Sequence, residues 1–236
     1  AVYRPYIASG YKGNAPTLTD LQAEIKKQPE PEAQELALAA ELFISGSLSI
    51  FAQKTNVDQN NRLTSYNILD LGEQLLPMGM LVILESIYNR VIQNWRSGRR
   101  TWVFVDEFSI FFRYPFATNF FLRMWKQVRK RAGYMTGITQ NVGEMLTSKD
   151  ACWMLANSEF LIMLSQSASD RAALAELLNI SDTQLSYVEN ADPGCGLMKF
   201  GGAFIPFVNS FPEDTELYKL MTTKPADREQ VKPNGV

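Results

Sequence analysis

The sequence predicts an α/β protein in which helices cover a mostly parallel sheet, with a smaller all-helical region before it. From Ser65 onward, short apolar strands alternate with helical segments, whereas the earlier part of the chain contains helical patterns only. The run from Thr101 to Val105 is almost wholly apolar, which is typical of parallel strands buried on both faces. We therefore predict a parallel sheet with helices on both sides.

The helical region comes after a loop that is rich in Gly, Pro and Tyr. Thr19 and Gln22 have the spacing of a capping box, which predicts the start of a helix that Pro29 ends. A second helix is predicted near 32–43, and Gly46 ends it. This helical part of the chain differs in character from the region that begins at Ser65.

The later region supplies the alternating elements of the predicted sheet. In chain order the pattern predicts a strand at 65–71, a helix at 75–95, a strand at 101–105, a helix at 120–131, a strand at 134–139, helical pieces at 142–155, a strand at 159–164, a helix at 170–178 and strands at 196–200 and 203–208. The last two strands are expected to pair as an antiparallel edge across Gly201 and Gly202. The predicted division is a helical subdomain at 1–60, an α/β core at 61–223 and a disordered polar tail at 224–236.

The composition excludes several classes of chemistry. With 46% hydrophobic and 20% charged residues, the 236-residue chain has an ordinary globular balance and a net charge of -2. It contains no histidine, which excludes His-based nucleophilic catalysis and His-ligated zinc. Its two cysteines, Cys152 and Cys195, fit a reducing compartment. The longest apolar run, 78–84, is far shorter than the roughly 20 residues of a membrane span, so none is predicted.

Two adjacent acids end the apolar strand at 101–105. Asp106 and Glu107 would lie at the carboxyl edge of the sheet, where α/β proteins bind their ligands. In nucleotide hydrolases with this pattern, the first acid holds Mg²⁺ and the second polarises the attacking water. The alternative is that the two acids simply begin a helix, because carboxylates favour a helix N-terminus.

A glutamine comes directly after the next strand. Gln140 is expected beside the acid pair, where its amide could hydrogen-bond a terminal phosphate or the attacking water. The alternative is an amide that caps the helix after Asn141.

Basic residues crowd the end of the helix between these two strands. They are Arg123, Lys126, Arg129, Lys130 and Arg131. Arg129 or Arg131 is predicted to act across a subunit interface as an arginine finger, which neutralises charge on a transferring phosphoryl group. A solvated face, cations that complement a helix C-terminus and a contact with nucleic-acid phosphates are the alternatives. Arg171 is a further candidate for a subunit interface or, more simply, a solvated residue.

Seven segments together carry a resemblance to a known family. They are Phe51–Asp58 (FAQKTNVD), Asn61–Leu63, the strand ending in Asp106 and Glu107, Gly137–Val142 (GITQNV), Leu178–Val188 (LNISDTQLSYV), Ile205–Val208 (IPFV) and Met221–Pro225 (MTTKP). In these segments the chain resembles the type IV secretion and conjugative-transfer ATPases, particularly those of Gram-positive conjugative elements. The resemblance runs over nearly the whole chain and in the family's order.

The resemblance implies a RecA-like P-loop motor core of three layers with an all-helical insertion. It implies ATP and Mg²⁺ as cofactors, assembly as a homo-hexamer, and docking on other subunits of a type IV secretion channel. The expected location is cytoplasmic, peripheral at the inner face of the cell membrane. Asp106 would hold the metal, Glu107 would act on the water, and Gln140 would sense the γ-phosphate.

One family feature does not occur in the sequence. The family's Gly-rich phosphate loop ends in Gly-Lys-Ser/Thr, and neither Gly10–Gly13 nor Gly194–Gly196 has that spacing. In the family this loop lies upstream of the seven matching segments, so we expect the chain to be the later part of a longer protein and to be inactive alone. A DNA-pumping coupling or translocase ATPase and a non-catalytic structural subunit are the alternative functions.

Overall fold

The computed structural model describes residues 1–46, 48–54, 61–68, 71–140 and 142–222. The chain divides into two compact units, Ala1–Met80 and Leu81–Val236. The predicted division at 1–60, 61–223 and 224–236 stays a prediction, and the tail lies outside the described residues.

Ten α-helices and five strands form the described secondary structure. The helices are α1 (Arg4–Ala8), α2 (Leu18–Ile25), α3 (Pro31–Ile44), α4 (Gly72–Arg96), α5 (Pro115–Gln127), α6 (Val142–Leu146), α7 (Lys149–Ala156), α8 (Ala168–Leu178), α9 (Asp182–Leu185) and α10 (Glu216–Met221). The strands are β1 (Thr101–Val105), β2 (Gly133–Gly137), β3 (Phe160–Met163), β4 (Cys195–Phe200) and β5 (Ala203–Val208). Short 3₁₀ segments occupy Ser49–Ala52, Phe108–Arg113, Val128–Arg131 and Ser186–Val188.

The first unit is a helical hairpin of α2 and α3 held by one buried polar side chain. Thr17 and Asp20, rather than Thr19 and Gln22, begin α2: the Thr17 backbone N–H and hydroxyl both donate to the Asp20 carboxylate, at 2.7 and 3.0 Å. Gln22 is instead buried, and its amide donates to the Ala37 carbonyl (2.7 Å) and to Glu41 (2.6 Å). The capping prediction is wrong because Gln22 faces α3, where a buried amide needs tertiary partners.

The long helix α4 crosses the boundary between the two units. Within the second unit, Leu84 and Val91 are buried in the main hydrophobic cluster. By length and composition α4 could also cross a membrane, which the prediction from contiguous apolar runs did not find. The two results differ because an unbroken apolar run ends at the first polar residue, whereas the mean hydropathy of a window can stay high when a few of its residues are polar. Only 22% of that window is buried, and Leu81 and Val82 are 53% and 52% exposed, so α4 buries a narrow stripe that includes Leu84 and Val91.

The parallel pair of the predicted sheet is present. β1 and β2 pair in parallel, with Thr101 opposite Gly133 and Val105 opposite Gly137. One face packs on the main cluster through Val103 and Val105, together with α5 residues such as Phe121 and Met124. The predicted burial of both faces is wrong, because Trp102 and Phe104 on the other face are 55% and 67% exposed.

The remaining strands form a sheet of their own. β3 and β5 both pair antiparallel with β4, and the β4–β5 hairpin turns at Gly201 and Gly202 as predicted. The expectation of a single, mostly parallel sheet is wrong for the described residues, in which only β1 and β2 pair in parallel. The predicted strand at 65–71 is also not formed over its described residues 65–68. Short apolar runs identify strands, but the backbone hydrogen bonds that join them depend on tertiary placement.

Candidate active site at the carboxyl edge of the parallel strands

The two predicted acids lie where β1 ends. Asp106 is exposed and Glu107 is half-buried. The Glu107 backbone has φ 48° and ψ 46°, in the left-handed region that few residues other than glycine adopt. Its N–H donates to the Asp106 carboxylate at 3.0 Å, which orients Asp106 against the turn. Glu107 is the N-cap of the 3₁₀ segment Phe108–Arg113. The alternative interpretation, that the acids begin a helix, therefore holds for a 3₁₀ segment and not for an α-helix.

The residues on either side of Glu107 hold this strained backbone in place. The Ile138 N–H donates to the Val105 carbonyl and the Phe108 N–H to the Ile138 carbonyl, both at 2.8 Å. Phe108 is buried, with its ring stacked on Trp125 (centroids 5.6 Å apart) and edge-on to Phe121 (4.9 Å). A left-handed residue costs about 1–2 kcal/mol, so anchors on both sides are needed to maintain it.

A glycine in β2 makes room for that anchor. A Cβ on Gly137 would collide with the Phe108 ring, so any larger residue there would displace the side chain next to Glu107. The backbone approach between β2 and the turn after β1 thus depends on the absence of a side chain at Gly137.

Gln140 reaches the acid pair as the sequence predicted for its position. Its Nε2 donates to Glu107 Oε1 at 3.2 Å, from the end of the neighbouring parallel strand. The structure therefore brings Asp106, Glu107 and Gln140 together at one sheet edge. Gln140 is exposed, so a small displacement would free its amide for another acceptor.

A second contact joins the same two loops. Arg113 donates to Glu144 at 2.8 Å, linking the turn after β1 to helix α6 after β2. Sequence analysis did not single out this pair, and its sequence separation of 31 leaves no local signal. The loops that carry Glu107 and Gln140 are thus joined at two points.

The basic cluster lies at the other end of β2. The 3₁₀ segment Val128–Arg131 comes just before β2, whereas Gln140 comes after it. Four residue steps along β2 amount to about 13 Å, so Arg129 and Arg131 do not join the acid pair within one chain. Arg131 lies over the Tyr88 ring (5.6 Å to the centroid) and donates to Gln127. Arg129 is exposed, with no side-chain ion pair or hydrogen bond in the part of the chain that the structure describes.

Arg171 is engaged within the second unit. It donates to Glu189 at 2.7 Å and to the Gln166 carbonyl at 3.2 Å, and its side chain is 19% exposed. The solvated position is therefore wrong for Arg171, and its role at a subunit interface stays a prediction. Its partners hold the start of α8 against the segment before β4.

Neither glycine pair forms a phosphate loop. Gly10–Gly13 lies between α1 and α2, and Gly194–Gly196 leads into β4. A phosphate loop joins a strand to the N-terminus of a helix, and neither segment does so. Among the described residues there is also no group of three or more Cys, Asp or Glu side chains that could hold a metal.

Solved structures with a similar fold include a VirB4 protein. The structure of VirB4 of Thermoanaerobacter pseudethanolicus matches with a TM-score of 0.71 and 23% identity over 89% of this chain. This chain shares the fold of VirB4. It covers 62% of the VirB4 chain, so more than a third of that structure has no counterpart here. No protein-family model and no curated protein matches the sequence.

The VirB4-like fold supports the α/β class that the sequence predicted. The predicted RecA-like three-layer core and the roles of Asp106, Glu107, Gln140, Arg129 and Arg131 remain proposals.

Proposed function

We propose that the chain is the later part of an ATPase motor that energises assembly of, or transport through, a type IV secretion or conjugation channel. The observation that carries the proposal is the contact of Gln140 with Glu107, beside Asp106, at the ends of two neighbouring parallel strands. The VirB4-like fold supports it together with the sequence resemblance to type IV secretion ATPases.

The chemistry of the three side chains fits a magnesium nucleotide. Mg²⁺ prefers oxygen ligands and keeps several waters, so one carboxylate such as Asp106 suffices beside phosphate oxygens. Bound Mg²⁺ would supply charge stabilisation for phosphoryl transfer. Glu107 has a carboxylate oxygen to accept a proton from the attacking water, and Gln140 has an amide to orient that water or to contact the terminal phosphate.

The hydrogen bond between Gln140 and Glu107 suggests how phosphate sensing would work. With Gln140 on Glu107, one carboxylate oxygen is occupied. A terminal phosphate is a stronger acceptor for the Gln140 amide and would draw it away, which leaves Glu107 free to act as base. Arg113 and Glu144 would keep the two loops together during this change of partner.

Two features support completion of the site by residues outside this chain. The second edges of β2 and β3 have no strand partner among the described residues, and Trp102 and Phe104 lie on an exposed sheet face. A strand bearing the phosphate loop would pair with a free edge, and the helix that follows such a loop would cover the exposed face. Arg129 from a neighbouring subunit of a homo-hexamer would complete the charge stabilisation. Arg129 is preferred to Arg131 because its side chain has no partner among the described residues, whereas Arg131 contacts Tyr88 and Gln127. Other channel subunits at the inner face of the cell membrane are the proposed partners.

The test is ATP hydrolysis by the intact protein, including the residues that precede this chain. The parent should hydrolyse ATP, and Asp106→Ala should lose magnesium-dependent nucleotide binding, with Asp214→Ala as an exposed control that behaves like the parent. Absence of hydrolysis by a folded, assembled parent protein would favour the scaffold alternative. The present chain alone should not bind ATP in calorimetric titration, because it lacks the row of backbone N–H groups that a phosphate loop provides.

The interface role has its own test. Arg129→Ala should abolish hydrolysis in assembled hexamers and spare nucleotide affinity, whereas Arg131→Ala should have the smaller effect. Mixed hexamers of Arg129→Ala and Glu107→Gln subunits should regain activity, since some interfaces combine an intact acid with an intact arginine. No regain in verified mixed hexamers would exclude action in trans.

A further inference from the structure

One buried hydroxyl in the second unit has no hydrogen-bond partner. Ser109 is 2% exposed, and its Oγ is the one buried side-chain nitrogen or oxygen without a hydrogen bond among the described residues. Such a hydroxyl loses the hydrogen bonds that water gives it in the unfolded chain, so unpaired buried groups are rare and need an explanation. Ser109 comes two residues after Glu107, which places the unpaired hydroxyl in the turn that carries the proposed base.

Two further features show that this turn is strained. Phe108–Arg113 is a 3₁₀ segment of six residues, whereas runs longer than three or four are uncommon because their hydrogen-bond geometry is poorer than that of an α-helix. Glu107, directly before the segment, has a left-handed backbone. The unpaired hydroxyl, the long 3₁₀ run and the left-handed residue thus occur together within 107–113.

Both ends of this stretch are held by side chains that follow β2. Gln140 donates to Glu107 at 3.2 Å, and Arg113 donates to Glu144 at 2.8 Å. The Arg113 contact is short and joins two charged groups, whereas the Gln140 contact is long and its donor is neutral. The Glu107 end is therefore held more weakly, and it is the end at which a change of partner would release the stretch.

A small rewinding of the segment would give the Ser109 hydroxyl an acceptor. In the described state the Ile110 N–H donates to the Glu107 carbonyl, three residues before it, at 3.1 Å. In an α-helical turn each N–H donates to the carbonyl four residues before it, and a serine hydroxyl can donate to a carbonyl three or four residues before it. For Ser109 these are the carbonyls of Asp106 and Val105. Rewinding also changes the Glu107 backbone and hence the direction of its carboxylate.

We propose that Ser109 is a positioning residue for Glu107 and that the segment Phe108–Arg113 has two states. In the described state Gln140 holds Glu107 and the Ser109 hydroxyl is unpaired. In the second state Gln140 has left Glu107, the segment is α-helical, and the Ser109 hydroxyl donates to a carbonyl of the turn. This new hydrogen bond offsets part of the loss of the Gln140 contact. The inference rests on the proposed function only for its trigger, the terminal phosphate that draws Gln140 away.

The first measurement is urea unfolding of the 236-residue chain. Ser109→Ala should raise the unfolding midpoint, because alanine fills nearly the same space and leaves no buried hydroxyl unpaired. Ser158→Ala is the matched control, since the Ser158 Oγ donates to the Met154 carbonyl at 2.7 Å and accepts from Trp125 Nε1 at 3.2 Å. Its midpoint should fall. If Ser109→Ala lowers the midpoint as well, the Ser109 hydroxyl is paired in the folded chain and the inference is wrong.

The second measurement is hydrogen exchange of the backbone amides of 107–113 in the same chain. Gln140→Ala releases Glu107 without nucleotide and should slow this exchange several-fold, because α-helical hydrogen bonds have better geometry than 3₁₀ bonds. Adding Ser109→Ala should return the exchange toward the parent rate, since pairing of the hydroxyl shifts the balance between the two states by about 5- to 150-fold. Gln34→Ala, at an exposed glutamine of the first unit, should leave the exchange at 107–113 unchanged.

The intact protein separates this inference from the proposed function. Mg²⁺ with a non-hydrolysable ATP analogue should slow exchange at 107–113, whereas Mg²⁺ with ADP, which has no terminal phosphate to contact Gln140, should not. Failure of the analogue to bind would refute the proposed function alone, and the exchange of the Gln140→Ala chain would still decide the inference. Binding of the analogue with unchanged exchange at 107–113 would refute the inference alone. So would slower exchange in Gln140→Ala that Ser109→Ala leaves in place.

Discussion

Glu41 in the first unit and Glu107 in the second each accept a hydrogen bond from a glutamine, but their surroundings differ. Glu41 accepts from Gln22 (2.6 Å), Ser45 (2.8 Å) and Lys26 (3.2 Å) on regular helices. Glu107 accepts from Gln140 alone at 3.2 Å among the described residues, on a left-handed backbone. Hydrogen bonds from Gln22, Ser45 and Lys26, in that order of effect, lower the pKa of Glu41 to about 2.

The difference fits a structural role for Glu41 and the reactive role proposed for Glu107. A carboxylate surrounded by donors is stabilised as an anion and is a poor proton acceptor. One with a single long hydrogen bond retains acceptor capacity and can change partner at little cost. Backbone strain beside such a group is characteristic of functional sites.

The largest expected effect is on catalysis. In the intact protein, Glu107→Gln should lower ATP turnover by about 10²–10⁴-fold while leaving nucleotide binding near normal, because the proposed general base is lost and the phosphate contacts remain. Steady-state ATPase assays measure it, with Glu176→Gln on the exposed face of α8 as the control. Turnover at the parent rate would exclude Glu107 as the general base. Glu107 and Glu41 would then no longer differ in function.

The second-largest expected effect is on stability, where Gln22 and Gln140 should differ. Gln22→Ala should destabilise the chain by about 1–2 kcal/mol, since the buried hydrogen bonds to Ala37 and Glu41 are lost. Gln140→Ala, at an exposed position, should change stability by less than about 0.5 kcal/mol. Urea unfolding of the two variants provides the measurement. Equal losses would mean that the Gln140 contact is structural too.

Strain at Glu107 predicts that a substitution at this proposed catalytic position stabilises the fold. Glu107→Gly should raise the free energy of unfolding by up to about 1 kcal/mol, because glycine adopts the left-handed region without steric cost. The same change in the middle of α8, Glu176→Gly, should lower it by about 0.5–1 kcal/mol. If thermal and urea unfolding show both variants to be destabilised alike, the backbone at Glu107 is not strained.

The smallest effect is the pH dependence of Glu41. Because its pKa is lowered on folding, its contribution to stability is fully present above its ordinary pKa of 4.5 and is lost as pH falls toward 2. The difference in unfolding free energy between the parent and Glu41→Gln should therefore shrink over that interval. In a Gln22→Ala background the difference should be smaller from the start. If the difference in unfolding free energy between the parent and Glu41→Gln stays constant with pH, the pKa of Glu41 is not lowered on folding.

Local patterns in the sequence determined several features correctly. The apolar run at 101–105 and the acids after it located β1 and its edge, and the strand before Gln140 located its neighbour. The predicted helix at 170–178 is α8, which Ser167 caps by accepting from the Asp170 N–H, and the two glycines at 201–202 placed the hairpin. These signals involve neighbours in the chain, so the sequence alone contains them.

Tertiary structure decided the rest, because it depends on residues far apart in the chain. The left-handed turn at Glu107 depends on Phe108 packing against α5 and on Gly137 in β2. Burial of Gln22 depends on α3, and the difference between Arg129 and Arg131 depends on the Tyr88 ring of another helix. The strands form two sheets because β3 pairs with β4 and not with β1 or β2. Local sequence patterns do not specify which strands pair.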